Sequence, residues 1–292
     1  MTEKMPPVCD YEGSDYRTRF WENQGRDYED QVERSALRKM MPDYGSTVID
    51  IGAGFGRLAD EYFGYDRVVL FDYSSSLLRE ARERLGDDRF IYVSGNWYEM
   101  PFVDGLFQTL VQVRTIHHAA NVPGLFSELQ RIARMNGTYV LEFANKQNIK
   151  AIGRYLLRQQ SWSPFTREPV EFVELNFDFH PKYIREQLVA AGFVPQRMLT
   201  TSHFRIAPLK KLLPTSFLVK LDNAVQASGN FWQLTPQVFV QSENPKHGKV
   251  SDPDCFFACP TCKTPIFEEN DALSCEGCGA VWRKEDGVYI FK

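Results

Sequence analysis

Residues Thr47–Leu58 read TVIDIGAGFGRL, and the rest of the chain is organised around them. Thr47 to Ile51 is β-branched at four of five positions, which predicts a buried strand. The strand breaks into a turn with glycines at 52, 54 and 56, and a helix is expected from about Arg57. A backbone without Cβ atoms reaches positive φ and lets a ligand come close. A helix N-terminus behind it would offer free N–H groups. A glycine-rich turn alone is weak evidence, but this one has two companions. Asp50 sits inside the strand, where a buried carboxylate is costly without partners. A second strand, Arg67–Phe71, ends in Asp72, twenty residues after Gly52, where a ribose-binding acid belongs in a doubly wound α/β fold.

The glycine spacing separates two cofactor classes. A dinucleotide fingerprint, G-x-G-x-x-G, needs its third glycine at position 57; that position is Arg57, and the glycine falls one residue early. Asp50, the G-x-G-x-G turn and Asp72 together resemble a class I S-adenosylmethionine (SAM) methyltransferase from about residue 45 to 145. Within that family the likeness is to the small-molecule and quinone-biosynthesis type. It implies a Rossmann-like, seven-stranded doubly wound sheet. It also implies that Gly52, Gly54 and Gly56 admit the methionyl part of SAM and Asp72 its ribose hydroxyls, with Asp50, Tyr73 and Arg114 in the same site. The family's adenine-binding acid corresponds to Asn96, whose carbonyl oxygen still accepts a hydrogen bond, with Trp97 as apolar wall.

Composition narrows the function classes. A chain of 292 residues favours one full domain with appendages. A net charge of −4 argues against a broadly basic, phosphate-tracking surface. No apolar run approaches a transmembrane span, and the N-terminus lacks a signal-peptide pattern. Four of the six cysteines form paired C-x-x-C motifs, which point to metal binding in a reducing compartment; a cytoplasmic protein is expected.

Along the chain, residues 1–13 are expected to be poorly ordered. Tyr16–Met41 reads as two helical pieces broken near Gly25. They would form an N-terminal lid over residues 1–44, with Tyr16, Phe20, Trp21 and Tyr28 either closing a pocket or packing on the sheet. Arg89–Val93 and Leu106–Val113 are further strands. The latter delivers His117 and His118 to the carboxyl end of the sheet, where ligands bind in open α/β folds. Either histidine is a candidate general base for a hydroxyl nucleophile, or it merely caps a helix and shapes the pocket. Pro123–Met135 reads as a helix, Thr138–Phe143 as a strand, and Asn145 as a substrate contact or a turn residue.

Specificity is expected from residues 146–245. Lys146, Lys150, Arg154 and Arg158 recur every four residues, a basic stripe on a helix whose apolar face would be Ile149, Ile152 and Leu156. The stripe suits an anionic substrate, a lipid headgroup or RNA phosphate, or is simply solvated. Trp162 and Phe165 lie in a loop that could cover the substrate. His180 is expected to cap or pack. Phe193–His203 and Gln237–Gln241 would be the final antiparallel strands. Leu209–Leu221 is apolar and basic; Pro214 interrupts it, and packing over the substrate cavity is favoured over contact with a membrane surface.

A polar linker, Glu243–Asp254, precedes Cys259-x2-Cys262-x12-Cys275-x2-Cys278. Two C-x-x-C knuckles place four thiolates on one ion, a closed tetrahedral Zn site; disulfides and iron are the alternatives. So small a tail buries little core, so the metal would supply most of its folding free energy. The segment resembles the zinc-ribbon activator subunit of tRNA, rRNA and release-factor methyltransferases, including Asp286-Gly287 after the second knuckle. The resemblance implies a structural or docking role, toward a partner or toward the catalytic domain. Residues 45–243 would then be the SAM-dependent methyltransferase domain and residues 254–292 the zinc ribbon. The expected substrate is a small molecule or isoprenoid-like lipid. The alternatives are an RNA or protein substrate docked by the ribbon, or a SAM-binding module without catalysis.

Overall fold

A computed structural model describes residues 5–14, 24–245, 255–269 and 271–292. Tyr16, Phe20, Trp21 and most of the expected linker lie outside the described residues. The chain enters through helix α1 (Asp27–Met40) and strand β1 (Gly45–Ile51). It continues through β2 (Tyr65–Asp72), α2 (Ser75–Leu85), β3 (Phe90–Gly95) and β4 (Phe107–Gln112). Helix α3 (Val122–Ile132), β5 (Ala133–Ala144) and α4 (Ile149–Leu156) follow. A hairpin of β6 (Val170–Val173) and β7 (Asn176–Asp178) precedes α5 (Pro181–Ala191) and β8 (Val194–Thr201). Helices α6 (Ala207–Leu212) and α7 (Thr215–Val225) lead to β9 (Gln237–Asn244).

Seven of these strands lie in the order β3-β2-β1-β4-β5-β9-β8. The first five run parallel, and β9 is antiparallel to both β5 and β8. This is the doubly wound Rossmann-like sheet expected from the sequence. Its strands carry near-continuous apolar runs because helices cover both faces. Ile49 and Ile51 enter the core beneath α3 and α5, and Val48 enters the core beneath α1 and α2.

Local chemistry explains most element ends. Asn121 Oδ1 accepts the Gly124 N–H at the start of α3, and Pro123 occupies its first turn. His180 Nδ1 accepts the Lys182 N–H, so His180 caps α5, and Gly192 closes that helix in the left-handed conformation.

Four expectations change. No α-helix follows the glycine turn; a single 3-10 turn, Ala59–Tyr62, spans the short distance to β2. Three left-handed glycines at alternate positions, Gly52, Gly54 and Gly56 at φ +77°, +53° and +73°, spend the chain on turning and leave too little for a crossover helix. The helix after β4 stops at Ile132, and β5 begins at once. Asn136, at φ 59°, and Gly137 kink that strand, and Asn244 Nδ2 bonds the Ala133 carbonyl at 2.9 Å. Tyr28 closes no pocket: it is buried and donates to Asp222 Oδ2 at 2.6 Å, fastening α1 to α7. Lys146 leaves the basic stripe, because Asn148 caps α4 and the helix starts only at Ile149. The buried Lys146 ammonium donates instead to the Glu168 carbonyl at 2.6 Å and to Thr166 Oγ1 at 3.1 Å.

The cysteine-rich segment does not stand apart. It forms β10 (Phe257–Ala258), β11 (Pro265–Ile266), β12 (Glu268–Glu269), β13 (Ala272–Ser274), β14 (Val281–Glu285) and β15 (Val288–Phe291). Strand β15 pairs in parallel with β3, Val288 opposite Tyr92 and Phe291 opposite Gly95. The sheet thereby extends to eleven strands, ending β12-β13-β14-β15-β3. Phe257 stacks on Phe102 at 6.0 Å, and Ile266, Leu273 and Phe291 join the core beneath α3 and α5. The tail therefore shares a core with the larger sheet.

Candidate functional site

A pocket opens at the carboxyl ends of β1, β2 and β4, where open α/β sheets bind ligands. Asp50, Gly52, Gly54, Asp72, Tyr73, Trp97, Arg114 and His118 all line it. Gly56, Asn96 and His117 do not reach its wall among the lining residues.

The three glycines have different reasons. A Cβ on Gly52 would stand 2.2 Å from Thr115 Cγ2, and the Thr115 hydroxyl donates to the Ile51 carbonyl at 3.0 Å. Gly52 is thus fixed by the β4 loop. Gly54 meets only Leu77, at 3.8 Å, so the space over its Cα belongs to the pocket. Gly56 abuts Leu70 and Leu85 and serves packing.

Asp72 accepts the Gly54 N–H at 2.7 Å and the Ser74 N–H at 2.8 Å. It thereby ties the glycine turn to the loop after β2. Burial pushes its carboxyl up to about 6, the two backbone N–H groups partly opposing this. Asp50 lies deeper, and burial pushes it up to about 7. Two protonatable carboxyls in one cleft mark a place suited to a cationic or hydroxyl-bearing ligand.

Arg114, at φ 60°, leaves β4 in a left-handed turn that Glu142 holds by accepting its N–H at 2.8 Å. Its guanidinium reaches back to Glu33 of α1 at 2.7 Å. Glu33 also accepts from Arg57 at 3.0 Å and from Gln237 at 2.8 Å. Burial alone would raise the Glu33 carboxyl, but Arg114 and Arg57 outweigh it and hold it down at about 2. One buried carboxylate therefore clamps the glycine turn to the β4 loop. Nothing in the sequence singled out Glu33; its helix position is shared by several other acids.

Asn96 Oδ1 accepts the Tyr98 N–H at 3.0 Å, and Asn96 Nδ2 lies 3.3 Å from Met5 Sδ. Trp97 is the member of that pair that forms pocket wall. His118 Nδ1 faces the Leu175 carbonyl at 2.7 Å, so that nitrogen carries the proton, and Nε2 accepts from Tyr11 Oη at 3.2 Å. Burial lowers the pKa of both histidines, His117 to about 3. Asn145 is a buried turn residue whose amide donates to the Gln233 and Thr235 carbonyls, each at 2.8 Å.

Residues 5–13, the described part of the stretch expected to be poorly ordered, instead cross the pocket. Val8, Cys9 and Tyr11 line it, and Glu12 accepts the N–H groups of Ser75 and Ser76 at 2.7 and 3.0 Å. An acid from far away in sequence thus joins Ser74 in capping α2. Composition near the N-terminus carried no sign of it.

A second cluster lies in the cysteine-rich segment. The sulfurs of Cys259, Cys262, Cys275 and Cys278 all fall within 4.8 Å of one another. Cys259–Cys278 and Cys262–Cys275 stand 3.6 and 3.3 Å apart. None of the six cysteines is in a disulfide. Four sulfurs on a tetrahedron with metal–sulfur bonds of about 2.3 Å would lie roughly 3.8 Å apart, so the donor set fits a thiolate-bound metal ion.

Comparison with known proteins places the fold. Residues 49–141 match the family described as "Methyltransferase domain". A sterol 24-C-methyltransferase of Pneumocystis carinii is 29% identical over 101 residues, 32% of this chain and 27% of that protein. A demethylmenaquinone methyltransferase of Roseiflexus sp. is 27% identical over 123 residues, 41% of this chain and 49% of that protein. The chain therefore spans about half or less of these curated relatives. A chain from the complex between the Haloferax volcanii Trm112 methyltransferase activator and a candidate methyltransferase superposes with a TM-score of 0.55. It is 16% identical, and the match covers 82% of this chain and all of that one; at that identity the likeness is one of fold. The protein thus has a Rossmann-like methyltransferase fold, and the residues that match the methyltransferase-domain family run from β1 to β5 at the heart of its sheet.

Proposed function

We propose that the chain is a SAM-dependent methyltransferase acting on a small molecule or isoprenoid-like lipid. The observation that carries this reading is the open space over Gly54, in a pocket that Asp50 and Asp72 both line, Asp72 accepting the Gly54 N–H. Gly52 and Gly54 would admit the methionyl part, with Gly56 holding the turn. Asp50 offers its buried carboxylate to the ammonium group. Asp72, already held by two backbone N–H groups, has lone pairs left for the ribose hydroxyls. Tyr73 and Trp97 would flank the adenine, with Asn96 at the rim, and Arg114 would line the methionyl end. The cofactor supplies a methyl group on a sulfonium, a good leaving group, so the protein's contribution is in-line placement and exclusion of water. Calorimetry of SAM binding to the wild type and Asp72→Ala tests the site. Labelled-methyl transfer into extract fractions tests the acceptor class, and labelling confined to RNA would overturn the lipid reading.

The acceptor class draws support from the sterol and demethylmenaquinone relatives. His118, lining the pocket, is the better of the two histidines for a base; His117 sits behind it, ring centroids 4.0 Å apart.

The four-cysteine cluster would hold Zn as a structural ion, closed to substrate by its four thiolates. Its module docks on the catalytic sheet through β15 and β3. One zinc per chain by metal analysis, with Cys275→Ser losing both the metal and several degrees of thermal stability, is the expected result.

A further inference from the structure

We propose that the face built from α4, the bend at residues 205–206 and residues 231–234 docks on an anionic phospholipid bilayer. The sequence suggests that Ile149, Ile152 and Leu156 pack inward, and the structure leaves most of that helix outside. Ala151 is its one buried residue. Ile149 is 64% exposed, and Leu156 and Leu157 are each 70% exposed. α6 buries no residue at all, and none of its residues lines the pocket.

These segments form one continuous patch. The Ile149 N–H donates to the Leu234 carbonyl at 2.8 Å, and Lys150 Nζ donates to the Arg205 carbonyl at 2.7 Å. Phe231 and Trp232, 80% and 63% exposed, stand next to Leu234, and Ile206 lies beyond Arg205. Tyr155 continues the patch toward the edge-on ring of Phe165.

Charge selects the occupant. Residues 147–167 and 202–235 contain eight lysines and arginines and a single acid, Asp222. Arg205 and Lys210 reach Glu29 and Arg167 reaches Glu186, which leaves Lys150, Arg154, Arg158, Lys211 and Lys220 without an acidic partner among the described salt bridges. Asp222 is buried against Tyr28. A chain with net charge −4 has thus cleared exposed acids from both segments. Exposed leucines, Phe and Trp interleaved with Lys and Arg suit the headgroup boundary of an anionic membrane. The core of a protein interface is depleted in lysine, although it favours arginine and aromatic residues, so a second copy of this chain is the competing occupant that the test below separates. No helix among the described residues is long and apolar enough to cross a membrane, so the contact is with one leaflet.

The same face connects to the His118 wall of the pocket. α4 follows directly from the end of β5, and the β6–β7 hairpin next to it touches His118 through Leu175. Docked in this way, the protein would meet a lipid-soluble acceptor in the leaflet; this purpose rests on the function proposed above, whereas the docking itself does not.

Flotation of the full chain with vesicles of phosphatidylcholine, with and without phosphatidylglycerol, tests the proposal. Binding is expected to the mixed vesicles, weakening as salt rises. It should fall about tenfold in Leu156→Ser/Leu157→Ser and in Phe231→Ser/Trp232→Ser, and also in Arg154→Glu/Arg158→Glu. These side chains are exposed, so circular dichroism and SAM calorimetry should match the wild type. Absence of flotation, or equal flotation of every variant, overturns the proposal. A dimer in sedimentation that the same substitutions dissolve overturns it in favour of a second copy of this chain. Loss of SAM binding with flotation intact would count against the methyltransferase reading alone.

Discussion

Lys292 Nζ donates to the Tyr73 carbonyl oxygen at 2.7 Å and stands 4.7 Å over the centroid of the Tyr73 ring. The same ammonium lies 3.3 Å from Glu12, the residue that caps α2 from the extended N-terminal segment crossing the pocket. Tyr73 lines the pocket next to Asp72. The residue just beyond β15 therefore braces two walls of the candidate cofactor site. Lys292→Ala should weaken SAM binding about threefold to tenfold, as expected for one partly exposed charged hydrogen bond. Calorimetry reads this directly, and unchanged affinity would show that the brace is idle.

Asp50 and Asp72 should make SAM binding depend on pH. Their folded pKa values of about 7 and 6 exceed the unfolded value near 3.8. Each therefore binds a proton more readily when folded. The stability this represents is present below pH 3.8 and is lost as pH rises through the folded pKa. A cationic ligand prefers the ionised carboxylates, so SAM affinity should rise between pH 5 and about 7.5, with proton release on binding. Calorimetry in buffers of different ionisation enthalpy counts those protons. Asp50→Asn should abolish most of the release and stabilise the ligand-free protein near neutral pH.

The glycines divide by consequence. Gly52→Ala would drive a Cβ into Thr115, so a large loss of stability is expected, about 3 kcal/mol or more. Gly54→Ala meets only Leu77 and is strained by its positive φ at a cost of about 1–2 kcal/mol. It should fold, yet bind SAM at least tenfold more weakly because its methyl group enters the pocket. Thermal melts beside calorimetry separate the two; equal SAM affinity in Gly54→Ala would remove the glycine turn from the site.

His118 presents a lone pair to Tyr11 rather than to the open pocket. If it acts as a base, Tyr11 must first release Nε2. His118→Ala should lower kcat about a hundredfold with little change in SAM affinity. His117→Ala should cost less, and Tyr11→Phe should shift the acid limb of the kcat profile. Equal kcat in all three would mean that the acceptor needs no base.

What the sequence by itself determined were features that the local backbone dictates. TVIDI had to be a buried strand, the glycines at 52, 54 and 56 had to turn it, and Asp72 fell where the next strand ends. Two C-x-x-C knuckles likewise brought four sulfurs together through short-range turns. Only the tertiary structure decided the contacts between distant segments. Glu33 became the clamp between Arg57 and Arg114, and Glu12 capped α2. Lys146 turned inward, and β15 joined β3 to set Lys292 against Tyr73. In each case the deciding partner lies far away in sequence. A charged side chain's fate depends on which buried acceptor or donor the fold brings to it. A strand's place in the sheet depends on which edge is left unpaired. No local pattern of residues encodes either.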